Sequence, residues 1–136
     1  MKQSAMLTTA SLLTILLMTL HMTGDILFKM SPAGLVNLFV VFVFVVQLYG
    51  TLVLGGRRAG YIIIFLGSVL GLVIPVVHMK GTRGVIGGDI GSSGQAFLFV
   101  WTILALGITS TFSVILSASA LLSLPCRRSR RTSAAA

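Results

Sequence analysis

The run from Leu35 to Leu54, LVNLFVVFVFVVQLYGTLVL, is the stretch on which the fold turns. It contains no ionisable residue, and as a helix its 20 residues rise about 30 Å, the thickness of a bilayer's hydrocarbon core. In water its Val and Phe content would favour a strand. In lipid the backbone must satisfy its own hydrogen bonds, so an isolated span of this composition has to be helical. A transmembrane barrel does not fit either, because barrel strands alternate apolar and polar residues over about ten positions, and this run is apolar almost throughout.

Three further segments follow the same logic: Ala5 to Phe28, Ala59 to Val77 and Ala96 to Leu122. The whole chain agrees with them. It has 136 residues, 56% hydrophobic and only 9% charged, with a mean hydropathy of +1.07. A soluble domain carries about 25% charged residues to cover its surface. The expected fold is therefore an all-α membrane protein with a single integral membrane domain over 1–136. Four transmembrane helices form it, in an up-and-down bundle. Lys2 ahead of the first apolar run raises the possibility of a signal peptide, but Thr19 to Asp25 offers no small-residue cleavage site, so the segment is expected to be retained.

The basic residues set an orientation. With four spans, Lys2, Arg57, Arg58, Arg127, Arg128, Arg130 and Arg131 fall on one side, and Lys29, Lys80 and Arg83 on the other. The positive-inside rule then places both termini in the cytoplasm, as in a bacterial cytoplasmic membrane. Tyr49, Tyr61 and Trp101 sit where interfacial aromatic belts would place them. The +8 net charge becomes an orientation signal, and no nucleic-acid partner is expected. The tail 123–136 instead points Arg127, Arg128, Arg130 and Arg131 at anionic lipid headgroups.

Packing devices are legible too. Gly60, Gly67 and Gly71 recur at helical spacing in the third span and would let helices approach closely. Thr102, Thr109, Ser113 and Ser117 form a stripe on the fourth, available for bonds between helices, though packing alone is the plainer reading of both devices. Helix faces of this kind suit a protein partner or a homo-oligomer.

Chemistry concentrates on the outer side. His21 and Asp25 lie near the outer end of span one, His78 just beyond span three, and Asp89 in loop three. At 1.5 Å per residue, His21 and His78 reach the outer boundary within about 5 Å of each other. The first span also has a polar stripe: Ser4, Ser11, Thr14, Met18, His21 and Asp25. The i, i+4 step lets Asp25 orient the His21 ring. Pro75 should kink the third helix shortly before His78.

Several readings of these residues stand side by side. His21 and His78 could be ligands to haem b or, with the thioethers of Met18, Met22 or Met79, to copper. The plainer reading, which the sequence favours, is a pair of interfacial histidines whose tips reach water. Asp25 could be a proton site or the partner of Lys29 four residues on. No charge lies near the middle of any span, which counts against an ion-coupled transporter. The loop 81–94 holds six of the chain's 15 glycines and reads as a flexible outer connection, or a lid over the histidines. The lone Cys126 has no disulfide partner in the chain and reads as a spectator.

The sequence shows no nucleophile with a base, no paired carboxylates and no metal motif with a known spacing. The leading expectation is a non-enzymatic structural or accessory subunit of a membrane complex. The alternatives are a haem- or copper-binding subunit using His21 and His78, and a small proton-coupled transporter using Asp25.

Overall fold

A computed structural model of the chain describes the backbone of residues 2–27, 34–79 and 94–133, and side chains within 3–27, 38–79 and 97–124. Four helices account for almost all of it: α1 (Lys2–Leu27), α2 (Leu35–Leu52), α3 (Arg58–Met79) and α4 (Gly94–Ser133). There is no strand among the described residues. The Val- and Phe-rich run that would favour a strand in water is the helix α2, as the need for internal backbone bonding demands. α1, α3 and α4 are long and apolar enough to cross a membrane, which marks the chain as a membrane protein. The described apolar part of α2, Leu38–Leu52, is shorter.

Contacts between named residues fix the directions. Ser11, early in α1, meets Thr51 at the end of α2. His21 and His78, both late in their helices, meet each other and Phe99 near the start of α4. Successive helices are therefore antiparallel, and α1 runs parallel to α3. The bundle is four-cornered: α4 packs most heavily on α3 and α1, α2 packs on α3 and α1, and among the described residues α2 does not reach α4.

The seam positions alternate in steps of three and four, the period of left-handed bundle packing. On α1 they are Leu7, Ser11, Thr14, Met18, His21 and Asp25, and on α4 Ile103, Leu106, Ser110, Ser113, Ser117 and Ala120. Most of the buried side chains are polar, serine and threonine above all, while Phe39, Phe42, Val45, Phe97 and Trp101 lie exposed. This inversion of a soluble core is what lipid solvation permits. Between helices in a membrane there is no hydrophobic drive, so small residues and hydroxyls supply close packing and bonding.

Glycines set the spacing around α3. A methyl on Gly67 would lie 2.5 Å from Gln47 Oε1, and one on Gly71 2.5 Å from Ser110 Oγ. One on Gly60 would collide with the Leu54 carbonyl oxygen. The α2–α3 turn is closed by bonds from the amides of Val53 and Leu54 to the Tyr49 carbonyl and from Arg57 N–H to Leu54 O. Gly56 adopts φ 81°, a region where any larger residue is strained.

Three expectations need correction. His78 lies inside the last turn of α3, not beyond it, because helical bonding continues past the apolar run and through Pro75. α4 likewise continues to Ser133, past the apolar run that ends at Leu122 and through Pro125. The stripe on α4 does not bond between helices. Thr102 donates to Phe99 O, Thr109 to Ala105 O, and Ser117 to Ser113 O, each within its own helix. Short hydroxyl side chains in a helix find the preceding turn's carbonyl first. The loop 81–93, Lys29 and the side chains of Arg127, Arg128, Arg130 and Arg131 lie outside the described residues.

Candidate metal centre

The outer-end residues singled out in the sequence come together. The heptad on α1 puts His21 and Asp25 on its inward face, and the parallel α3 brings His78 to the same level. His21 Nε2 lies 3.5 Å from Asp25 Oδ2, and His78 Nε2 3.9 Å from the same oxygen. One potential ligand atom from each residue can be chosen so that all three lie within 4.8 Å of one another. The two imidazoles meet edge to face, with centroids 4.8 Å apart.

Phe99 on α4 walls the group off, its ring 5.2 Å from His21 and 5.7 Å from His78. His21 is 1% exposed and Asp25 7%, while the His78 side chain, at 27%, forms the open edge.

The hydrogen bonding defines the lone pairs. His78 Nδ1 lies 2.9 Å from the Ile74 carbonyl oxygen. A carbonyl can only accept, so Nδ1 carries the proton and donates it. In the neutral ring Nε2 is then a bare lone pair, and it faces the Asp25 carboxylate. A donated bond from the far ring nitrogen to a backbone carbonyl is the usual support of a metal-ligating histidine.

His21 is less satisfied. Neither of its ring nitrogens has a hydrogen-bond partner, and neither does Asp25 Oδ1. Asp25 has no Lys or Arg partner among the described residues; its charged contacts are the two histidines. The arrangement gathers acceptors around one point, and such a set is stable only with a cation or a proton at its centre.

The donor set fits a borderline, first-row divalent ion. Two imidazoles and a carboxylate are a recurrent set of three protein ligands for zinc, with a further position left open. A tetrahedral ion bound at about 2.0–2.1 Å holds its ligand atoms about 3.4 Å apart. The 3.5 Å separation already matches this, the 3.9 Å one needs a shift of a few tenths of an ångström, and the widest separation in the group, up to 4.8 Å, must close by about an ångström or more on binding.

Sequence reasoning found His21, Asp25 and His78 but missed Phe99, which reads as one more apolar residue among many. It also missed Gln47, Ser68 and Ser110, which are 3%, 0% and 0% exposed. Gln47 had a signal: it is the only side-chain amide in an otherwise apolar run from Leu38 to Tyr49.

No known protein family, curated protein or solved structure matches this chain.

Proposed function

We propose that this chain is a four-span membrane protein, with both termini cytoplasmic, that holds a divalent transition-metal ion at the outer end of its bundle. Zinc is the best-fitting ion, and His21, Asp25 and His78 are its ligands. The observation that carries the reading is the bare Nε2 of His78, with Nδ1 committed to Ile74, aimed at a buried carboxylate beside an unpartnered imidazole.

Two features support the four-span topology in a bacterial cytoplasmic membrane. α2 is antiparallel to its neighbours and, at 18 residues, rises about 27 Å. The seven-to-three division of basic residues supplies the orientation.

Among the expected cofactors, copper(I) would prefer thioether ligands, and the carboxylate moves the set towards harder ions. Haem fits less well, since imidazoles in edge contact at 4.8 Å leave no space for a macrocycle between them. Action as a structural or accessory subunit is compatible with a metal-bearing role. That reading leaned on the outer loop and helix faces, whereas the metal reading has converging side chains behind it.

The test is zinc titration of metal-stripped protein in detergent against a chromophoric chelator. One ion per chain is expected, with His21→Ala, Asp25→Asn and His78→Ala each weakening binding more than about 100-fold, beyond the usual cost of losing a supporting residue. Binding that is substoichiometric, or unchanged in His78→Ala, overturns the proposal.

A further inference from the structure

At the end of the bundle opposite the metal centre, the helices part. A cavity of about 320 Å³ opens there, lined by Gln3 and Ser4 of α1, Gly56 of the α2–α3 turn, Tyr61 of α3 and Ser123 of α4. Sites for small ligands begin at about this size. Its walls carry an amide and three hydroxyls, and no carboxylate.

The charge around this cavity has one sign. Lys2 precedes Gln3, and Arg57 and Arg58 follow Gly56. Arg127 comes three residues after Leu124, which also lines the cavity. Arg57 and Arg58 are exposed. The chain has only two acids to set against them. Asp25 stands at the metal centre, and Asp89 falls in the segment that joins the far ends of α3 and α4. No carboxylate of this chain competes for the bases at this end, and polar walls in a field of that sign suit an anion.

A second hollow begins beside the first. Between α1 and α4, a groove of about 380 Å³ is lined by Ala5, Thr9, Ala10 and Leu13 on one helix and by Phe112 and Leu116 on the other. Ser4 lines the cavity and Ala5, next in the chain, lines the groove. Ala120 and Leu116, one turn apart on α4, divide in the same way. The small side chains of Ala5, Thr9 and Ala10 leave the hollow. Its walls are apolar but for Thr9 and Thr109, and the Thr109 hydroxyl donates to the Ala105 carbonyl of its own helix. The groove faces outward, since Met6, Leu13 and Phe112, which all line it, are 57%, 43% and 56% exposed. From Ala5 to Leu13 it rises about 12 Å, most of one leaflet of a hydrocarbon core about 30 Å thick.

Water alone would fill the cavity, and any acyl chain would cover the groove. The two side by side call for one molecule that joins an anion to an apolar chain at a membrane interface. We propose that an anionic phospholipid binds here, with its headgroup at the cavity of Gln3, Ser4 and Tyr61 beside the Arg57–Arg58 pair, and one acyl chain along the α1–α4 groove. A free phosphate ion would leave the groove empty, and a second copy of the chain in parallel would bring the same positive charge to the same end. The orientation proposed above sets this end in the cytoplasmic leaflet, where anionic lipids gather. The inference needs helices that cross a membrane but not the metal centre, so each can fail alone.

The experiment is native mass spectrometry of the purified full-length protein in detergent, titrated with phosphatidylglycerol or with phosphatidylcholine of the same acyl chains. One phosphatidylglycerol should be retained per chain, about tenfold or more tighter than phosphatidylcholine. Arg57→Gln with Arg58→Gln should weaken phosphatidylglycerol about 25-fold, about fivefold for each basic side chain near an anionic surface. Arg57→Lys with Arg58→Lys keeps both charges and should bind as wild type does. Thr9→Phe fills the groove and should weaken both lipids about tenfold, the worth of about two buried methylenes. All three positions are exposed, and unchanged helicity by circular dichroism shows that the variants are folded. No retained phosphatidylglycerol, equal affinity for the two lipids, or unchanged affinity in the double glutamine variant or in Thr9→Phe overturns the proposal. So does glycerol phosphate alone binding as tightly as the lipid.

Discussion

Replacing His21 by Leu should stabilise the metal-free protein while abolishing its response to zinc. His21 is 1% exposed, and both ring nitrogens lack hydrogen-bond partners. Each orphaned buried polar atom costs about 1–3 kcal/mol, so removing two returns about 2 kcal/mol even at the lower limit. Leu fills much of the same space beside Phe99 and His78 but gives up the ring contacts to both, worth about 1 kcal/mol. The metal-free variant should therefore gain about 1 kcal/mol over wild type. Zinc at a hundred times its dissociation constant should stabilise wild type by about 2.7 kcal/mol and the variant not at all. The order of stability reverses on adding metal. Denaturant unfolding in detergent, followed by circular dichroism with and without zinc, reads both numbers. A metal-free variant clearly less stable than wild type, or an equal zinc response in both, would show that His21 is a packing residue and refute the reasoning.

Other consequences follow from named contacts. Gly60→Ala puts a methyl against the Leu54 carbonyl and 2.8 Å from Gly50 O, both backbone atoms that cannot rotate away. It should cost about 2 kcal/mol in the same unfolding assay, and a loss of a few tenths would contradict this packing of α3 on α2. Ser11→Ala removes the bond from α1 to Thr51 and should cost about 0.6 kcal/mol, the usual worth of a hydroxyl bond between membrane helices. Cys126 is the only thiol in the chain. The proposed cytoplasmic termini predict that a membrane-impermeant maleimide labels it only after cells are permeabilised, and labelling of intact cells would reverse the orientation.

How far the sequence could be read differs from element to element. The helices were legible because runs such as Leu38–Tyr49 allow no other backbone in lipid, and the α1 seam because Ser11, Thr14, Met18, His21 and Asp25 repeat at three and four. Their ends were less legible. Hydropathy marks where apolar side chains stop, while backbone bonding carries α3 through His78 and α4 to Ser133.

Matched depth put His21 and His78 at one level, but the kink at Pro75 left open whether they face each other, and their closeness was not legible. That depends on α1 lying parallel to α3, on Gly71 bringing the helices together, and on Phe99 closing the side, none of which spacing reveals. The Asp25–Lys29 pairing rested on i, i+4 geometry. Lys29 lies outside the described residues, and the structure gives Asp25 two histidine neighbours. The buried polar set was half visible, on α1 and α4. Ser68, Gln47 and Ser110 joined it only once the helices were packed.

The most direct test of the metal centre is the zinc K-edge X-ray absorption spectrum of the loaded protein. The account predicts scattering from two imidazole rings and one carboxylate oxygen at about 2.0–2.2 Å, with one imidazole lost in His78→Ala. A spectrum without imidazole scattering, or one unchanged by His78→Ala, would contradict it.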